Sequence, residues 1–312
     1  MKIGSMRLFS TVAVIAILFL FNLSVNGCTV HSNSDGYYQK TLVEKSFDTS
    51  PGKNFDLEAS FGDVIINTSD NPKVIVKVLG SEDTYKKLKI DFENTSEGVK
   101  VTVKKKDSWN FFNFWHHSNL KFDVTLPKQY NANISSSGGD IYINDLTGTT
   151  DLHTSGGDVK LANVNGPATV KTSGGDITLK NTSGNMILKT SGGDIKSVSF
   201  NGDLDASTSG GDIVLSGSDS KIKASTSGGE IKLDYTGVNK GIDLYSSGGD
   251  IEANLPADFR ADAKLSSSGG SIHCKFKTSD IEEFSSHKLI AKFNDGGEPL
   301  IIKTSGGDID IR

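Results

Sequence analysis

The sequence predicts an all-β fold: a single-stranded-stack β-solenoid, of the parallel β-helix or β-roll kind, built from 18-residue coils with two short strands each. Three observations predict it. The phrase Ser-Gly-Gly-acid starts at Ser137, Ser155, Ser173, Ser191, Ser209 and Ser227, each step being eighteen residues. Within each copy apolar residues stand two apart, the mark of strands with one buried face. The chain has 34 glycines but only 6 prolines, and the glycines are periodic, which indicates a repeat architecture rather than a disordered one.

The first strand of each coil follows the acid. Its inward columns are Ile141, Val159, Ile177, Ile195 and Ile213, then Ile143, Leu161, Leu179, Ser197 and Leu215. The second strand carries Thr150, Ala168, Met186, Leu204 and Ile222, then Leu152, Val170, Leu188, Ala206 and Ala224. A helix would need apolar spacing near 3.6 and would reject paired glycines. Between the two strands lies a second glycine column, Gly148, Gly166, Gly184 and Gly202, with Ser220 in the fifth place. Each coil must reverse direction in few residues, so the glycines are expected to supply positive φ. The acid after them is expected to accept backbone N–H groups left open by the turn. Thr154, Thr172, Thr190, Thr208 and Thr226 precede the phrase, and their stacked hydroxyls are expected to bond along the column.

Along the chain, residues 1–27 read as a signal peptide of lipoprotein type. Lys2 and Arg7 precede the apolar stretch Leu8–Phe21, and LSVNGC closes the segment. Gly27 before Cys28 resembles a bacterial lipobox, with Cys28 as the acylated residue. An uncleaved anchor and ordinary secretion are the alternatives. All three place the rest of the chain outside the cytoplasm, with the outer membrane or cell surface favoured over the periplasmic face. Residues 28–45 form a polar tether. Residues 46–130 read as irregular coils: ASFGDVIIN at Ala59–Asn67 is a degenerate repeat, and Lys73–Val78, Val99–Lys105 and Lys121–Pro127 are alternating strands. Residues 131–312 hold the regular repeat, with looser copies at Ser247, Ser268 and Ser305. The wide spacing of the last two marks an insertion near 274–304, or a coil with a long excursion.

Composition excludes several classes. The formal net charge is −5, so nucleic acid is not an expected partner. Arginine occurs only as Arg7, Arg260 and Arg312, which argues against bidentate clamps on phosphate or uronate. Once Cys28 is acylated, Cys274 has no disulfide partner; it reads as a small buried residue.

Two constellations are candidates for chemistry. The acidic column Asp140, Asp158, Asp176, Asp194, Asp212, Glu230 and Asp250 would stack in the solenoid. Like charges about 5 Å apart repel by roughly 1 kcal/mol in water, so backbone donors or bound cations must offset them. Turn capping is the first reading. A cation ladder, with calcium as the only cofactor in view, is the second; the GxD element of calcium-binding nonapeptide solenoids is missing. The other constellation is NFFNFWHH at Asn110–His117, where Phe111, Phe112, Phe114 and Trp115 form either a partner patch or a plug over an open end of the solenoid. His116 and His117 are adjacent and point apart on a strand. No catalytic residues emerge: the serines belong to the repeat, and no GxSxG elbow occurs.

The degenerate FGDVII coil, the strand ending in Leu126–Pro127, the serial TSGGDI turns and the closing GGDIDI strand together resemble the bacterial putative-adhesin family. That is a domain-of-unknown-function family of β-solenoid envelope proteins related to adhesin heads. The resemblance covers Phe47 to Arg312. It implies an envelope location and a non-enzymatic role, and it carries no catalytic residue. The functional expectation is therefore a non-enzymatic, adhesin-like envelope lipoprotein serving as a binding or structural module. Its partners are the membrane, through the lipid anchor, and an unidentified protein or glycan. A periplasmic scaffold or sensor accessory in envelope-stress signalling is the alternative; a β-helix enzyme acting on polysaccharide is more distant.

Overall fold

The computed structural model of the protein describes residues 40–106 and 119–312. Cys28 and the aromatic cluster of Phe111, Phe112, Phe114 and Trp115 lie outside the described residues. The N-terminal part contains β1 (Lys40–Asp48), β2 (Asn54–Ala59), β3 (Asp63–Ser69), β4 (Lys73–Gly80), the short helix α1 (Glu82–Lys86), β5 (Leu88–Asn94), β6 (Gly98–Lys105) and β7 (Leu120–Pro127). The regular part begins with β8 (Asn131–Ser136), β9 (Ile141–Asn144), β10 (Thr150–His153), β11 (Val159–Ala162), β12 (Ala168–Lys171), β13 (Ile177–Ser183) and β14 (Met186–Lys189). It continues with β15 (Ile195–Asn201), β16 (Leu204–Ser207), β17 (Ile213–Ser218), β18 (Ile222–Thr226), β19 (Ile231–Thr236), β20 (Ile242–Ser246) and β21 (Ile251–Asn254). The chain ends with β22 (Ala261–Ser267), β23 (Ile272–Cys274), β24 (Thr278–Phe284), β25 (Lys288–Phe293), β26 (Pro299–Thr304) and β27 (Ile309–Ile311).

From β8 to β21 the strands alternate between two sheets, and each coil pairs in parallel with the next. Ile177 lies beside Ile195 and Leu179 beside Ser197 in the first sheet; Met186 lies beside Leu204 and Leu188 beside Ala206 in the second. Like stacks on like because the register shift equals the sequence period. The inward residues of both sheets form one hydrophobic cluster running from Phe55 to Ile311. The β-solenoid expected from the sequence is the fold observed, with sheets of 13 and 14 strands.

The order of coils departs from chain order at both ends. The coil of β2 and β3 sits between that of β8 and β9 on one side and that of β6 and β7 on the other. At the far end the chain overshoots. The coil of β22 and β23 is laid down first, β24 and β25 follow as an antiparallel hairpin on β22, and β26 and β27 return to fill the slot beside β20 and β21. The wide spacing between Ser268 and Ser305 is thus an excursion. Antiparallel strands close three of the four sheet ends: β4 and β1 beyond β7, β5 beyond β6, and β25 and β24 beyond β22. The fourth end stops at β23, which has three residues. A stack of parallel coils would otherwise offer open edges to other chains, and short or antiparallel caps blunt them.

The glycine expectation needs correction. Positive φ belongs to the second glycine column, with Gly166 at 131° and Gly184 at 111°. In the repeated phrase only Gly139 has positive φ. At Gly157, Gly175, Gly193, Gly211 and Gly229 the reason for glycine is space: a Cβ would be driven into the carbonyl of the glycine one coil below. The first glycine of each pair is less constrained; at Gly174 the nearest atom to such a Cβ is 3.8 Å away.

Candidate functional site

Most of the repeated polar residues are consumed by the turn they belong to. In the acidic column, each aspartate accepts through Oδ1 the backbone N–H of the acid in the next coil. The bonds run from Asp158 to Asp140 and from Asp176 to Asp158 at 2.9 Å, then from Asp194, Asp212 and Glu230 each to the acid below at 2.8 Å. Asp140 N in turn bonds Asp63 Oδ1 at 3.0 Å, although the two residues are 77 apart in sequence. The last segment of the ladder crosses the reordered coils: Asp308 N bonds Asp250 Oδ1 at 2.8 Å and Ser271 N bonds Asp308 Oδ1 at 2.7 Å. The copy at Ser268 reads SGGS, without an acid, in the coil that ends the first sheet. The turn after β24 lies against this segment instead, with Ile272 N donating to Ser286 O at 2.9 Å.

The ladder breaks at one rung. Glu230 is one methylene longer than aspartate, and its carboxylate reaches Lys232 at 2.8 Å instead. Among the described residues no hydrogen bond joins it to the Asp250 amide.

The outer oxygens of two aspartates face side-chain donors. Tyr142 donates its hydroxyl to Asp140 Oδ2 at 3.0 Å, and Lys160 stands 4.0 Å from Asp158 Oδ2. Burial, with the Asp140 charge beside it, pushes the Tyr142 phenol well above its ordinary value. Among the described residues no group of three His, Cys, Asp or Glu side chains is arranged to hold a metal ion.

The hydroxyl column behaves differently from the expectation. The hydroxyls bond backbone, not one another. Thr190 donates to Gly175 O at 2.9 Å and accepts from Gly193 N at 3.3 Å. Thr172, Thr208 and Thr226 repeat both bonds, and Ser246, Thr304 and Ser267 continue them through the reordered end. A Cβ-free glycine brings the backbones close, and the threonine and aspartate then satisfy the amides and carbonyls that the turn leaves outside the strand ladders.

Sequence reading missed a further column. Asp145, Asn163, Asn181 and Ser199 all have φ between 52° and 60°. Asn163 bonds Asp145 Oδ1 at 2.8 Å, and Asn181 bonds Asn163 Oδ1 at 3.1 Å. The signal was present: asparagine and aspartate are the residues that tolerate the left-handed region.

Cys274 packs partly buried against the core, and burial pushes its thiol up. Such a thiol stays protonated and unreactive at neutral pH.

No curated protein matches the chain in sequence. Among solved structures, the chain is similar to a "putative adhesin" from Bacteroides fragilis NCTC 9343, at 15% identity over 88% of this chain and 98% of that one, with a TM-score of 0.49. It is also similar to a "putative adhesin" from Parabacteroides distasonis ATCC 8503, at 13% identity over 86% of this chain and 96% of that one, with a TM-score of 0.39. Residues 53–312, which span every strand from β2 to β27, match the Toastrack DUF4097 family, and the chain belongs to that family.

Proposed function

We propose that the protein is a non-enzymatic envelope module, held to a membrane through Cys28, whose solenoid serves as an adhesin-like binding or structural body outside the cytoplasm. One observation carries the reading: the side chains that recur in every coil are committed to backbone capping, whereas those on the outer sheet faces change freely. In the second sheet the same outward position holds Thr169, Ile187, Asp205 and Lys223 in successive coils. A stiff frame with variable faces suits recognition by surface complementarity, not catalysis in a cleft. Among the described residues no helix is long and apolar enough to cross a membrane; the attachment proposed is at Cys28, in the segment before Lys40.

The test is protease shaving of intact cells, with the released peptides identified by mass spectrometry. Solenoid peptides from intact cells are the expected result. Release only after permeabilisation would reject surface display and leave a periplasmic scaffold.

A further inference from the structure

One corner of the second sheet is assembled from two lysine-rich segments. The end of α1 and the start of β5 supply Lys86, Lys87 and Lys89; the end of β6 and the residue after it supply Lys104, Lys105 and Lys106. Antiparallel pairing sets Lys89 directly opposite Lys104, and Lys106 donates to Lys86 O at 3.1 Å. Asp91 lies 2.8 Å from Lys89 and Asp83 lies 3.8 Å from Lys86, and Glu58 feels the charge of Lys104; among the described residues Lys86, Lys89, Lys104 and Lys106 outnumber the carboxylates within ion-pair distance of them. Like charges opposite each other destabilise a strand pair, and stability alone therefore gives no reason for the Lys89–Lys104 match. The Lys86 and Lys89 side chains are 71% and 66% exposed. Lys104 and Lys106 are exposed too, and Tyr85 presents its ring to solvent between Thr84 and Lys86.

The same corner receives the start of the described chain. Lys40, in β1, pairs with Glu82 of α1 at 2.5 Å. Upstream of it, Thr29–Gln39 can reach at most about 40 Å when fully extended. Before that lies the apolar stretch Leu8–Phe21. At the opposite edge of the second sheet β24 carries Asp280, Glu282 and Glu283, of which Asp280 and Glu283 pair with Lys292 and Lys288 of β25 at 2.7 Å.

We infer that the lysine corner is a docking surface for the anionic headgroups of the membrane that holds the N-terminal segment. The inference rests on the anchored reading above for which surface lies near, and on the lysines for the chemistry. Lysines beside an anionic leaflet are attracted within a Debye length, and a tyrosine ring suits the headgroup level. The contact sets the orientation of the solenoid, with the β5 edge of the second sheet toward the lipid.

The test uses residues 36–312, which contain the complete core cluster and every strand pairing described and therefore fold without the preceding segment. They are co-sedimented with vesicles of phosphatidylcholine alone, or with about one third phosphatidylglycerol. Binding is expected only to the anionic vesicles, and about tenfold or more weaker in high salt. The combined variant K86E/K89E/K104E/K106E should lose at least about tenfold. A charge-matched control, K171E/K189E/K223E/K303E, changes lysines along the middle of the same sheet, on β12, β14, β18 and β26, and should bind within about twofold of the parent. Equal binding to both vesicle types, or equal loss in the two variants, overturns the inference. As a check independent of variant folding, lysine acetylation of the unmodified protein on anionic vesicles should be slowed at Lys86, Lys89, Lys104 and Lys106 and not at Lys171 or Lys189; uniform labelling also overturns it. Fractionation of cells carrying the full chain tests the anchored reading separately. A soluble full chain with retained vesicle binding would reject the anchor and keep the corner.

Discussion

Asp176 accepts the backbone N–H of Asp194 at 2.8 Å, one full coil along the stack. The bond turns a repeated turn residue into a tie between neighbouring coils. It also explains how the aspartates can stack: from Asp140 to Asp212 each accepts an amide of the next coil. Asp176→Ala should leave that amide without its partner and cost about 1–3 kcal/mol. Asp176→Asn retains the acceptor oxygen and should cost less. Urea unfolding measures both; equal losses would show that charge, not capping, is what matters.

Glu230 marks the broken rung. Glu230→Asp should restore the bond to the Asp250 amide and raise stability by about 1 kcal/mol. A lower melting temperature would mean that the Glu230–Lys232 pair contributes more than the missing rung.

The two glycines of one phrase should respond very differently to alanine. Gly175→Ala forces a Cβ into the Gly157 carbonyl, and backbone on both sides is held by strand pairing. A loss of about 3 kcal/mol or more is expected. Gly174→Ala meets nothing nearer than 3.8 Å and should stay within about 1 kcal/mol. Similar losses at the two sites would refute the spacing argument.

Ser197 interrupts a leucine column. It is fully buried beside Leu179 and Leu215, and its hydroxyl has no hydrogen-bond partner. Burying such a group costs about 1–3 kcal/mol. Ser197→Ala should therefore stabilise the protein by about 1 kcal/mol, read as a higher urea midpoint; a drop would show that the hydroxyl is satisfied in solution.

Tyr142 ties stability to alkaline pH. Its phenol is raised by burial and by Asp140, so the folded state keeps the proton after the unfolded state has lost it near pH 10. This contribution is present in full below about pH 10 and declines as pH rises beyond it. Tyr142→Phe should flatten the fall in urea midpoint between roughly pH 9 and 11. Parallel curves for the two proteins would exclude Tyr142 from the pH response.

The sequence by itself determined the coil. The period, the two inward columns and the hydroxyl and acid columns are local properties that repeat every eighteen residues, and a repeat whose neighbours are copies of itself must stack in register. Only the tertiary structure decided which coil lies beside which at the ends. A coil edge offers the same backbone pattern to any other coil, so periodicity does not say that β26 and β27 enter beside β20 and β21, or that Asp63 caps Asp140. It also decided why the second glycine of the pair stands at Gly157, Gly175, Gly193, Gly211 and Gly229, because the constraint there is the carbonyl of another coil and not a positive φ. The lysine corner has the same origin: Lys89 and Lys104 become neighbours only when β5 folds back on β6.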